Sequence, residues 1–72
     1  MDKEIIIGER LTRLRHERRQ TRAFVAEKTG IAYSTLTAYE SGLRHVSDKN
    51  KVRLAEYYGM PVGKLFFSED YH

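Results

Sequence analysis

Glycine interrupts this chain at short intervals. The glycines are Gly8, Gly30, Gly42, Gly59 and Gly63. Four of them punctuate segments whose apolar residues recur with helical spacing. Nothing between them alternates apolar and polar as a half-buried strand would. With only 72 residues in the chain, that punctuation implies short helices packed into one domain, near the lower size limit for an unaided core. The absence of cysteine excludes a disulfide scaffold, a thiolate metal site and a cysteine nucleophile. The hydrophobic share of 40% and charged share of 32% are not those of a disordered chain. The longest apolar run, Ile5-Ile6-Ile7, is far below the ~20 residues of a membrane span. The first residues lack the pattern of a secretory leader, so the expected address is the cytoplasm.

The apolar spacing places the elements. Ile7, Leu11 and Leu14 form one stripe of a first helix from about Gly8 to Arg19, with Glu9 four residues before Arg13. Thr21 has the character of an N-cap for a short second helix, Arg22 to about Thr29, which Gly30 ends. A third helix begins near Ala32 or Tyr33 and ends before Gly42, with Leu36 and Tyr39 on its inner face. Ser47 caps a fourth, in which Val52, Leu54, Ala55 and Tyr58 supply apolar positions and Gly59 closes the element. A fifth helix starts at Pro61, where a missing N–H costs nothing, and carries Val62, Leu65 and Phe66 inward. Residues 67–72 form a short tail without an assignment. The fold class is therefore all-α: five helices in a single domain over residues 1–72, with a core over about 7–66. The close pair of helices joined at Gly30 suggests a helix-turn-helix.

The net charge of +3 is unevenly placed. Residues 10–22 hold Arg10, Arg13, Arg15, Arg18, Arg19 and Arg22 against Glu17 alone. The third helix and the loop after it hold only Glu40 and Arg44, which cancel. Positive charge of this kind suits a polyanionic partner, yet it lies on the first helix and the start of the second.

From Arg22 to Gly42 the sequence resembles the helix-turn-helix of the Cro and lambda-repressor family, also called the XRE family. Ile7-Gly8-Glu9-Arg10-Leu11 with Leu14-Arg15 resembles that family's opening helix. Tyr39-Glu40-Ser41-Gly42 resembles the end of its recognition helix. Leu54-Ala55, Gly59-Met60 and Leu65-Phe66 resemble its last two helices. The resemblance spans about Ile7 to Phe66 and implies a compact five-helix, lambda-repressor-like DNA-binding domain. It implies that the third helix enters the major groove of double-stranded operator DNA and that the protein binds as a homodimer. Tyr33, Ser34, Thr35, Thr37 and Ala38 become the base-reading candidates, and Arg18, Arg19, Thr21, Arg22 and Arg44 the phosphate contacts. Arg15 and Glu40 become an ion pair tying the first helix to the end of the third. Helix five and the tail, with Phe66, Phe67 and Tyr71, offer the best guess at the dimer contact, the alternative being that Leu65 and Phe66 are simply core. The setting implied is a bacterial or phage-infected bacterial cell.

Several residues depart from the family pattern. Arg22 stands where glutamine is common, Ala32 where Ser or Thr usually caps the third helix, and Val46 near a frequent proline. None of the five reading positions carries the Gln, Asn, Arg or Lys that make bidentate base contacts. Phe24 occupies a usually polar position. One reading lays Phe24 half-buried over the end of the first helix. The other groups Ala23, Phe24, Ala32 and Tyr33 into an apolar surface for a partner repressor protein. The protein would then be an antirepressor or modulator. Enzymatic readings find little to build on. His16, His45 and His72 lack ligand spacing, Ser34 and Ser41 lack a base or nucleophile-elbow glycines, and Asp48 and Asp70 lack a paired context. No catalysis, cofactor, metal or small-molecule substrate is expected.

Overall fold

A computed structural model describes residues 2–69. Five helices follow in order: α1 (Lys3–Glu17), α2 (Arg22–Thr29), α3 (Tyr33–Glu40), α4 (Asp48–Tyr58) and α5 (Gly63–Phe67). There is no strand among the described residues.

The cap residues set most boundaries. Thr21 accepts a hydrogen bond from the Phe24 N–H at 3.1 Å, and Gly30 ends α2 at φ +75°. Ser47 accepts from the Asn50 N–H at 3.2 Å, and Gly59 ends α4 in the same left-handed region. Such caps satisfy backbone groups that a helix end would leave bare. Helix α3 alone among the long helices begins with no side-chain cap, because Ala32 has no acceptor.

Helix α1 differs from the expectation at both ends. It starts at Lys3, five residues before Gly8, because the Asp2 carboxylate accepts the Glu4 N–H at 2.8 Å. That bond also holds the Asp2 carboxyl below its ordinary pKa. It stops at Glu17, and Arg19 then takes φ +55°, the left-handed region. Gly8 therefore lies inside the helix. A Cβ there would stand 2.5 Å from the Glu40 carbonyl oxygen and 2.7 Å from that of Tyr39. Helices α1 and α3 cross at backbone contact, and only glycine allows it.

Helix α5 is a single wide turn of π-type helix, starting at Gly63 rather than Pro61, although the Leu65 N–H still bonds to the Pro61 carbonyl at 3.1 Å. It places Leu65 and Phe66 in the core and leaves Phe67 58% exposed. Phe66 is thus unavailable as a dimer contact, and Tyr71 lies outside the described residues. Arg10 reaches across from α1 and donates to the carbonyls of Leu65 (3.0 Å) and Ser68 (2.5 Å).

One core cluster joins all five helices, with Leu11, Val25, Leu36, Leu54 and Leu65 fully enclosed. Val52 is not part of it. It is exposed, and the stem of Lys51 is covered in its stead. The Lys51 ammonium sits 4.6 Å from the Phe67 ring centre and 3.7 Å from the Asp48 carboxylate. A lysine stem can serve as apolar surface while its head finds charge or solvent. No helix among the described residues is long and apolar enough to cross a membrane.

Candidate nucleic-acid interface

The orientation of α3 is fixed at its C-terminal end by Glu40. Its side chain is 1% exposed. Arg15 donates to it through Nε (2.9 Å to Oε2, 3.2 Å to Oε1) and Nη2 (3.0 Å to Oε1). The remaining Nη1 of Arg15 donates to the Gln20 carbonyl at 3.0 Å. Arg22 adds a second guanidinium, with Nε 2.8 Å from Oε1. One buried carboxylate therefore binds α1 and α2 to α3, and Arg15 extends the tie to the loop before α2. A buried charge is tolerated only when paired and hydrogen-bonded in this way. The Glu40 bond is the main cause that holds the Arg22 guanidinium above its ordinary pKa, with the Tyr33 hydroxyl adding to it. Burial, then the nearby Glu40 charge, pushes the Tyr58 phenol up to about 12.

The outer face of α3 is different in kind. Tyr33 is 54% exposed, and Ser34 and Ser41 are exposed. Thr35, Thr37 and Ala38 are half-buried on its flanks. The hydroxyl of Thr37 is closed off from solvent and has no hydrogen-bond partner, as is that of Tyr58.

The arginines divide into two groups. Arg18 folds back, donating to the Tyr57 carbonyl at 3.0 Å, with its guanidinium 5.4 Å from the Tyr57 ring centre and 5.1 Å from that of Tyr58. The Tyr57 hydroxyl in turn donates to Gln20 Oε1 at 2.7 Å. Arg10 and Arg15 likewise hold other elements in place. Arg22 is bound through Nε, yet its side chain is 37% exposed. Arg19 and Arg44 are exposed and make no side-chain hydrogen bond or ion pair among the described residues. The Thr21 hydroxyl already caps α2.

Ala23, Phe24, Ala32 and Tyr33 are all exposed. Phe24, at 43%, lines a shallow depression with Arg19, Gln20 and Thr21, and Lys28 stands 5.4 Å over its ring. It lies over the α1–α2 connection with somewhat more than half of its surface covered.

One part of this arrangement was hidden in the sequence, and another could have been found there. The second arginine on Glu40 could not be told from a surface charge. The crossing glycine had a readable signal: Gly8, Thr12 and Arg15 are four and three residues apart, a stripe that faces α3. Among the described residues no three His, Asp or Glu side chains gather as a metal site requires.

A buried ion cluster bracing a short helix whose outer face makes few internal contacts, preceded by a second short helix and a glycine turn, defines a helix-turn-helix. A family model described as a helix-turn-helix domain matches residues 6–65. The chain belongs to this family of DNA-binding proteins. No curated protein and no solved structure matches the chain significantly.

Proposed function

We propose that the chain is a transcriptional regulator of the Cro/repressor type that binds operator DNA as a dimer, with residues 1–72 acting as one domain. Helix α3 enters the major groove. Tyr33, Ser34, Thr35, Thr37 and Ala38 face the base edges. The observation that carries this reading is the contrast along α3: its inner end is bonded to two guanidiniums, while Tyr33, Ser34 and Ser41 stand outward. A probe held at one end and bare on its outer face suits insertion into a groove. Arg19 and Arg44 are the phosphate anchors with no competing partner among the described residues. Arg22 can offer its outer nitrogens while Nε stays on Glu40, and Thr21 can donate its hydroxyl. Arg18 is the weakest phosphate candidate because Tyr57 already holds it.

Selection from a random duplex library tests the reading. It should enrich a two-fold symmetric motif with half-sites about one helical turn apart. A selection that enriches no motif contradicts it.

The exposed group Ala23, Phe24, Ala32 and Tyr33 favours a second reading, capture of a partner repressor. There Phe24→Glu should abolish capture and leave DNA binding within a few-fold. Capture that survives this change removes the surface from consideration.

A further inference from the structure

Helices α1, α3 and α4 end in the same way. A residue of positive φ returns its N–H to the last turn, and the N–H after it reaches one turn further back. At α3 the Gly42 N–H donates to the Tyr39 carbonyl (3.2 Å) and that of Leu43 to Ala38 (3.0 Å). At α4 the Gly59 N–H donates to Glu56 (3.2 Å) and that of Met60 to Ala55 (2.9 Å). At α1 the Arg19 N–H donates to His16 (2.9 Å) and that of Gln20 to Arg15 (3.1 Å). Glycine is the usual residue at the left-handed position of such an end. Helix α1 uses arginine there, and among the described residues Arg19 alone has positive φ without being glycine. Its Cβ crowds the following carbonyl oxygen, so the conformation persists only where the surroundings impose it.

The surroundings here are specific. Arg15 Nη1 donates to the Gln20 carbonyl at 3.0 Å. The Tyr57 hydroxyl donates to Gln20 Oε1 at 2.7 Å. Gln20 is thus held at its backbone from α1 and at its side chain from α4. The Tyr57 ring packs against the core, which fixes the hydroxyl without help from Arg18. The residue constrained by this brace is exposed, and its guanidinium has no partner among the described residues. Backbone strain spent on an outward cation points to a use outside the molecule. We propose that Gln20 and Tyr57 are positioning residues for Arg19. Their hydrogen bond holds the left-handed turn, so that the guanidinium meets a DNA phosphate and the turn need not be ordered on binding. This rests on the reading of the chain as a DNA-binding protein.

The test measures binding of the full chain to a mixed-sequence duplex, because phosphate contacts do not depend on sequence. Thermal unfolding is followed for each variant. Tyr57→Phe removes the hydroxyl, and Gln20→Leu removes its acceptor. Each should bind about fivefold more weakly, the worth of one hydrogen bond. The salt slope should stay that of the parent, because Arg19 still reaches its phosphate in the complex. The double variant should be no weaker than either single one. Arg19→Gly releases the strain and removes the cation. It should melt a few degrees higher and yet bind more weakly, with a salt slope shallower by about one. With glycine already at position 19, Tyr57→Phe should cost no further affinity, an outcome that general loosening of the fold would not give.

Parent affinity in Tyr57→Phe overturns the inference and leaves the DNA reading standing. So does an Arg19→Gly variant that melts lower than the parent or keeps the parent's affinity and slope. So does a loss from Tyr57→Phe that persists with glycine at position 19. A parent chain that binds no duplex overturns the DNA reading itself, and the inference with it. Should Gln20→Leu fail to fold, Tyr57→Phe with and without Arg19→Gly decides alone.

Discussion

Helix α1 and helix α3 use polar chemistry in opposite directions. Helix α1 and the loop after it hold five arginines, and three of them bind other elements of the molecule. Arg10 holds the end of α5, Arg15 holds Glu40, and Arg18 holds the end of α4. Helix α3 has almost no charge, and its one acid is buried. Its outer face makes few internal contacts. The charged helix is thus the frame, and the nearly neutral helix is the probe in the function proposed above. A basic stretch in a small domain does not of itself mark the surface that meets a polyanion.

The contrast can be broken first at Glu40. Glu40→Ala leaves Arg15 buried without its partner, which costs about 3–5 kcal/mol. In a chain this small that is a large share of a total stability of about 5–15 kcal/mol, and urea denaturation should show it as a fall in midpoint or as outright unfolding. Gly8→Ala comes next. Helix propensity alone would make it stabilising by about 1 kcal/mol. The 2.5 Å approach to the Glu40 carbonyl makes it a net loss of about 1–3 kcal/mol, and a gain in melting temperature would show that α1 and α3 do not cross as described. Arg18→Ala removes one charge-assisted carbonyl bond and two ring contacts, for a loss of about 1–2 kcal/mol with DNA affinity little changed.

The smallest effect at neutral pH is at Tyr58. Its hydroxyl is buried without a partner, so Tyr58→Phe should be neutral or slightly stabilising. The sign at high pH is set by the phenol being raised to about 12 in the folded chain. Tyr58 costs the fold nothing by ionisation below about pH 10, the ordinary tyrosine range, and stability falls as pH rises from there toward about 12, because the unfolded phenol ionises first. Alkaline unfolding should therefore be shallower in the phenylalanine variant. An identical alkaline limb would mean that Tyr58 ionises freely in the native fold.

The sequence made the frame readable where local chemistry decides it. Thr21, Gly30, Ser47 and Gly59 each cap or close a helix through neighbours a few residues away, and the reading of α2, α3 and α4 from those residues agrees with the structure. The start of α1 was not readable in that way, because Ile5-Ile6-Ile7 has no helical period and Gly8 resembles a boundary. Val52 and Lys51 exchanged places because a lysine stem can fill an apolar position beside Phe67. The fate of each arginine was beyond local reading. Whether Arg18 meets a phosphate or the Tyr57 carbonyl depends on a contact 39 residues along the chain.

The division between framing and anchoring arginines is tested most directly by the salt dependence of DNA binding. Affinity for the enriched duplex is measured against salt for the parent chain and for single alanine variants of Arg18, Arg19 and Arg44. Loss of a phosphate contact lowers the log–log slope by about one. Arg19→Ala and Arg44→Ala should each show that shallower slope, and Arg18→Ala should keep the parent slope. A reduced slope for Arg18→Ala, with parent slopes for the other two, would contradict the account.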